Sequence, residues 1–226
     1  HRIHYLNTGD PVAFGFETPA HMAEAVHKSL RDGENGYGPS VGLAVAREAV
    51  AAENTARGWA VGADRVILTS GSSEGIDFVL TALADAGDEV LVPLPTYPLY
   101  TAILHKIGAR EVYYRADPAN GWLPDPAEIR RLITPRTKAF VVNDPNNPTG
   151  AVYPLDVRRA LLQLADESGI VILADEVYAD LAYDGPIAPL GSLEPDAAVI
   201  SFSSLSKAYL APGWRAGWLA VGGSDR

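Results

Sequence analysis

Five turns of this 226-residue chain each follow a short apolar run and carry groups that could handle a ligand. Ser70-Gly71-Ser72-Ser73-Glu74-Gly75 leads into a helical pattern. The free N–H groups of a helix start, joined by two hydroxyls, favour a phosphate. Pro95-Thr96-Tyr97-Pro98 offers an aromatic face, and Asn143-Asp144-Pro145-Asn146-Asn147-Pro148-Thr149-Gly150 offers amides. Asp175-Glu176-Val177-Tyr178 offers a carboxylate, and Ser203-Ser204-Leu205-Ser206-Lys207 an amine. Hydroxyls, an aromatic, an amide, a carboxylate and an amine together suit one small, flat, anionic ligand.

Each group also has a plain structural reading. The Gly/Ser turn serves any helix N-terminus; it lacks both the G-x-G-x-x-G fingerprint and the lysine of a P-loop, which removes the nucleotide-dehydrogenase reading. Tyr97 between prolines is a packed turn aromatic, and Asn-Asn-Pro-Thr-Gly is a turn whose Pro148 rules out a glycosylation sequon. Asp175 alone reads as a helix N-cap. Lys207 and Arg215 alone read as surface charges. Order and spacing, more than any single residue, favour a shared site.

The elements that must position these turns follow from periodicity. Arg65–Thr69, Glu89–Val92, Glu111–Tyr114, Ala139–Val142, Ile170–Ala174, Ala197–Phe202 and Gly217–Val221 are β-rich runs with little polar alternation, as expected of strands covered on both faces. Ile76, Val79, Leu80 and Leu83 repeat at helical spacing, as do Val157, Ala160, Leu161 and Leu164. Asp125-Pro126 reads as an N-cap followed by proline at the first helical position, and Gly108 as a helix stop. Alternating strands and helices imply a seven-stranded, mostly parallel α/β sheet with helices on both faces. The short connection from Phe202 leaves little room for a crossover, so Gly217–Val221 is expected to run antiparallel. Such sheets bind ligands at the carboxyl ends of their strands, where the five turns lie. Ahead of the sheet, His21–Arg31 and Leu43–Arg57 read as helices around the Gly-rich stretch Gly33–Gly42. A boundary near residue 40 separates an N-terminal segment (1–40) from the main domain (41–226).

Bulk composition narrows the partners. Eighteen Lys and Arg against 28 Asp and Glu give a net charge of −10, which argues against nucleic acid and anionic membranes. There is no cysteine, so disulfides, thiolate metal sites and a cysteine nucleophile are excluded within these residues, in keeping with a reducing cytoplasm. No apolar run reaches membrane-spanning length, and no secretion leader opens the sequence. The strand-like His1–Leu6 and the final Gly-Gly-Ser-Asp-Arg give both ends a cut appearance.

Taken in order, the motifs resemble the fold-type I enzymes that use pyridoxal 5'-phosphate (PLP), specifically the class I/II aminotransferases. The resemblance spans essentially the whole chain. It rests on Asn146-Asn147-Pro148-Thr149-Gly150, on Asp175-Glu176-Val177-Tyr178, and on Ser204-Leu205-Ser206-Lys207 followed by Gly213-Trp214-Arg215-Ala216-Gly217. Leu6-Asn7-Thr8-Gly9-Asp10-Pro11, with Phe14-Gly15-Phe16 after it, is similar to the alanine-aminotransferase branch.

The resemblance implies a role for each position. Lys207 matches the lysine that binds the cofactor as a Schiff base and later shuttles a proton; cationic and apolar surroundings ease its deprotonation. Asp175 matches the carboxylate that keeps the pyridine nitrogen protonated, making the ring an electron sink. Asn147 and Tyr178 match the pair on the cofactor's phenolic oxygen, and Tyr97 the aromatic on the ring face. Gly71, Ser72, Ser73, Ser204 and Arg215 match the phosphate cup. Tyr37 matches a tyrosine reaching the phosphate in the partner subunit of a homodimer. Gly9, with Asn147, matches substrate contacts. The Ser72-Ser73-Glu74-Gly75-Ile76 helix start departs from the family's usual small-residue-then-Ala-Leu pattern.

The resemblance also implies a polypeptide that continues past Arg226 into a segment completing a small domain and carrying the arginine for the substrate carboxylate. The remaining arginines, Arg47, Arg57, Arg130 and Arg158 among them, are expected away from the strand-end cluster. The implied activity is amino-group transfer between an amino acid and a 2-oxo acid. A PLP-dependent carbon–sulfur β-lyase and a PLP-sensing regulator are the alternatives on the same scaffold. No metal is implied.

Overall fold

The computed structural model describes residues 9–224. The strand-like start and the Leu6-Asn7-Thr8 part of the opening motif lie outside the described residues. Helices α1 (Ala20–Arg31) and α2 (Ala44–Ala56) come first. Then follow β1 (Val66–Ser70), α3 (Ser72–Leu83), β2 (Glu89–Leu94), α4 (Leu99–Ile107), β3 (Arg110–Asp117) and β4 (Leu123–Pro124). The chain continues through α5 (Pro126–Leu132), β5 (Thr137–Asn143), α6 (Leu155–Ser168), β6 (Val171–Asp175), β7 (Val199–Ser204) and β8 (Ala216–Val221).

The strands form one sheet in the order β1-β8-β7-β6-β5-β2-β3-β4. The central pairs are parallel, and β8 runs antiparallel to both β7 and β1, as the short connection required. Among the described residues the sheet has eight strands rather than the expected seven. The extra strand, β4, pairs Leu123 and Pro124 with Asp117 and Ala116 at the edge. Two residues are too few to show a period, and an edge is where a strand proline is tolerated.

Alternation along the strands divides the core into two layers. Leu91, Phe140, Val142, Ile172 and Ala174 face α5 and α6 through Ile129, Leu161 and Leu164. Val90, Val92, Ala139, Val141 and Leu173 face α3 and α4 through Ile76, Leu80, Ile103 and Leu104. Burying both faces is what removes polar alternation from the strand sequences. A third cluster sets Val50 and Ala51 of α2 against Val66, Trp59 and Ala220 near the β1–β8 edge.

Local signals act where expected. Asp125 accepts a hydrogen bond from the Ala127 amide with Pro126 at the first helical position, and Gly108 closes α4 in the left-handed region. Before α2 the described chain is different in kind: α1 has no buried residue, and Phe14, Phe16, Leu30 and Tyr37 are exposed. Among the described residues no helix is long and apolar enough to cross a membrane.

Candidate active site

The sheet order reverses between β5 and β2, and the turns after the strands on both sides of that point open into one cleft. Its volume is about 790 Å³. It is lined by Ser72 and Ser73 after β1, Thr96 and Tyr97 after β2, Asn147 after β5, Asp175 at the end of β6 with Tyr178 after it, and Ser204 at the end of β7 with Lys207 after it. Because β8 runs the other way, its start meets the cleft, and Arg215 enters there. Gly9 and Asp10 line it from the N-terminal segment.

Asp175 closes β6 and is 5% exposed. No helix follows it, so it is not an N-cap; a turn leads instead to a short 3-10 helix at Ala179–Leu181. Its Oδ2 accepts from the Tyr100 hydroxyl, and its Oδ1 from the Val177 amide at 3.4 Å. Burial pushes this carboxyl above its ordinary range, with Tyr100, the Val177 amide and the Lys207 charge opposing. Asn143, at the end of β5, donates to the Asp175 carbonyl at 3.1 Å and accepts from the Asn147 amide at 2.5 Å. One buried side chain thus joins the two strand ends that carry Asp175 and Asn147. The Asn147 turn is further stitched by Asn146, whose Oδ1 accepts from the Thr149 hydroxyl at 2.8 Å.

Lys207 is half-buried, and its Nζ donates to the Gly9 carbonyl at 2.9 Å. The same Nζ lies 5.8 Å from the centre of the Tyr178 ring. Burial lowers the Lys207 pKa, and the Arg215 charge adds to that, while Asp10 and Asp175 act the other way. The amine is therefore easier to deprotonate than a solvated lysine. Burial, then the Asp175 and Tyr97 charges, push the Tyr178 phenol up, so it keeps its proton. Tyr97 is exposed on the cleft, with its ring centroid 6.1 Å from that of Tyr100 and nearly perpendicular to it.

At β1 and β8 the construction is looser. Arg215 is exposed, has φ +51°, and donates to the carbonyls of Pro212 at 3.0 Å and Ser70 at 3.3 Å. Gly71 has φ +74°, and any side chain on it would collide with the Arg215 guanidinium. Only glycine lets the turn before α3 approach the arginine so closely. Glu74, part of the unusual helix start, turns back to accept from the Ser70 amide at 2.6 Å. It does not line the cleft, so the departure from the usual pattern leaves Ser72 and Ser73 facing it.

Two expectations need correcting or extending. Arg158 is a helix residue, but it is not remote: it is buried, pairs with Asp144 at 3.2 Å and Glu176 at 4.0 Å, and donates to the Ala188 carbonyl at 2.7 Å. It supports the Asn147 and Asp175 turns from below. Tyr100 and Asn143 were missed as site residues. Asn143 carried a signal, a polar residue at the end of an apolar strand; Tyr100 carried none beyond following Tyr97 by three positions. Tyr37 does not line the cleft, and its side chain is fully exposed.

Comparison with known proteins decides the family. The model for aminotransferase class I and II matches residues 3–225. The chain belongs to this family. It is 43% identical to an alanine aminotransferase of Mycobacterium bovis over 99% of the chain and 52% of the relative. It is 39% identical to a glutamate-pyruvate aminotransferase of Escherichia coli over 98% of the chain and 55% of the relative. An alanine aminotransferase structure from Pyrococcus furiosus superposes with a TM-score of 0.93 at 41% identity, over 98% of this chain and 56% of that one. The chain spans about half the length of the curated relatives it matches.

The family implies PLP, and the residues present fit it. A buried carboxylate, an amine, an exposed aromatic and a glycine–arginine cradle share one cleft. Among the described residues the buried Thr96 Oγ1 has no hydrogen-bond partner, and it lies on that cleft, as a group meant to meet a ligand would.

Proposed function

We propose that the whole protein is a PLP-dependent transaminase that moves an amino group between an amino acid and a 2-oxo acid, with alanine and glutamate as its donors. The observation that carries this reading is that Lys207 and Asp175, far apart in sequence, line the same cleft. The names of the relatives support alanine and glutamate. When bound, PLP supplies a carbonyl carbon that receives the amino group and a cationic ring that accepts electron density from the substrate Cα.

The protein's own groups do the rest. Lys207 would hold the cofactor through its Nζ, and the same nitrogen would carry the substrate Cα proton to the carbon that receives the amino group. Its lowered pKa keeps a share of the amine in the basic form this step needs. Asp175 would hold a proton on the ring nitrogen. Asn147 and the Tyr178 hydroxyl would donate to the phenolic oxygen, and Tyr97 would cover the ring face. Gly71, Ser72, Ser73, Ser204 and Arg215 hold the phosphate through amides, hydroxyls and a guanidinium. Gly9 and Asn147 border the substrate.

A homodimer belongs to the same reading. Tyr37 is exposed and outside its own cleft, so it is free to reach the phosphate site of a second copy. The arginine that grips the substrate carboxylate is assigned to the part of the protein not in this chain, since Arg215 already serves the phosphate. A cytoplasmic location completes the proposal, and cell fractionation tests it.

Borohydride reduction of the PLP-loaded full-length protein, followed by peptide mapping, should place the label on Lys207. A label on Lys28, Lys106 or Lys138 overturns the assignment. Incubation with alanine and 2-oxoglutarate should give pyruvate and glutamate in equal amounts. Release of ammonia and pyruvate from cystathionine, without transfer, would establish the carbon–sulfur lyase instead.

A further inference from the structure

Tyr100 is the second residue of α4, and α4 begins directly after the turn that carries Thr96 and Tyr97. Its ring is 1% exposed, and its hydroxyl donates to Oδ2 of Asp175, 75 positions away. The same ring meets Tyr97 edge to face. One residue therefore touches both the aromatic on the open side of the cleft and the carboxylate at its base. We propose that Tyr100 is a positioning residue that fixes the Asp175 carboxylate and, through it, the protein's hold on the ring nitrogen of the cofactor. The proposal rests on the PLP reading above.

The physical case starts from the cost of burying a carboxylate. Asp175 is 5% exposed, and among the described residues its donors are one amide at 3.4 Å and the Tyr100 hydroxyl. The amide contact is long, so the hydroxyl is the strong donor. The charged and titratable groups facing Asp175 are Tyr100 from α4, Lys207 from the segment after β7, and Tyr178 from its own turn. Of these, only Tyr100 hydrogen-bonds the carboxylate. Burial first, and then the Asp175 charge, push the Tyr100 phenol well above its ordinary range. It therefore stays protonated, and the direction of this hydrogen bond does not reverse. Removing the hydroxyl raises the Asp175 pKa further, since the ionised form loses its best partner. A protonated Asp175 cannot pair with a cationic ring nitrogen, so affinity is lost as pH falls through the Asp175 pKa, and earlier in the variant.

The test compares wild type and Tyr100→Phe, full-length, in equilibrium binding of PLP and of an analogue with carbon in place of the ring nitrogen. Tyr100→Phe keeps the ring packing. It should weaken PLP roughly tenfold or more near neutral pH, by the size of one charge-assisted hydrogen bond, and leave the analogue within about twofold. The pH below which PLP affinity falls should rise by roughly one to two units. In an Asp175→Asn background the same substitution should add less than about twofold. Equal weakening of both ligands, or an unchanged pH profile, overturns the proposal and leaves Tyr100 a packing residue. Wild type that binds neither ligand overturns the PLP reading itself. If Tyr100→Phe melts well below wild type, the Asp175→Asn pair, compared at a temperature where both are folded, decides the matter.

Discussion

Asp175 and Arg215 line the same cleft, yet one is buried at the junction of β5 and β6 and the other stands open to solvent where β1 meets β8. Around Asp175 the supporting groups are tied to one another within the protein: Tyr100 to the carboxylate, Asn143 to its carbonyl, and Arg158 to Asp144 and Glu176 beneath. The partners of Arg215 are the backbone carbonyls of Pro212 and Ser70. The contrast follows from what each part is proposed to hold. A single charge on an aromatic nitrogen is gripped strongly only where water is excluded and the dielectric is low. A phosphate brings about two charges and three acceptor oxygens, so several exposed donors suffice. The β5–β6 part is built to tune a charge, and the β1–β8 part to collect one.

The largest effect expected is on the support below the buried part. Arg158→Met leaves Asp144 and Glu176 buried without their cation and should cost about 3–5 kcal/mol of folding stability, read by denaturant unfolding. Burial already pushes Asp144 up to about 6, against the Tyr153 amide and Arg158. A folded-state pKa above the unfolded value means that ionised Asp144 is penalised at high pH and relieved as pH falls. The deficit of the variant should therefore shrink between about pH 8 and about pH 5, as Asp144 and Glu176 take up protons. A loss under ~1 kcal/mol would show that this part is no more committed than the open one.

Asp175→Ala comes next. PLP should still bind through Lys207 and the phosphate contacts, but turnover should fall by about 3 kcal/mol of transition-state stabilisation, roughly a hundredfold or more. Steady-state rates at saturating PLP measure it. Near-normal turnover would break the comparison, because the buried part would then tune nothing.

The difference between the two parts also explains what could be read in the sequence. Asp175, Asn147, Ser204 and Lys207 stood out because each follows a strand whose apolar run is visible by itself, and the ends of buried strands are where polar groups become conspicuous. The fold was legible for the same reason, except for β4, whose two residues carry no period. Tyr100 and Arg158 were not legible as parts of the site. Each sits in a helix where its type is ordinary, and its role comes from partners 75 residues away in one case and on two other strand ends in the other. Burial of a hydroxyl or a guanidinium is a tertiary fact that no local pattern records. The N-terminal segment lies at the opposite limit: Tyr37 acquired a meaning only from resemblance, since nothing in its own chain touches the cleft through it.

The smallest effect belongs to the open part. Arg215→Lys keeps the charge but replaces a planar fork with a point donor. The Lys side chain cannot span the Pro212 and Ser70 carbonyls that hold the guanidinium in place beside Gly71. PLP affinity should weaken by roughly tenfold, about 1.4 kcal/mol, while turnover at saturating PLP stays within about twofold because the charge-tuning groups are untouched. Since the site is exposed, that loss should grow with salt, as screening weakens a solvated ammonium more than a guanidinium held in a fixed fork by the Pro212 and Ser70 carbonyls. Equilibrium binding of PLP to both proteins at low and high ionic strength measures this. If Arg215→Lys instead lowers turnover as much as Asp175→Ala does, with salt having no effect, then the phosphate contacts and the nitrogen contact act as one unit, and the division between the two parts of the cleft fails.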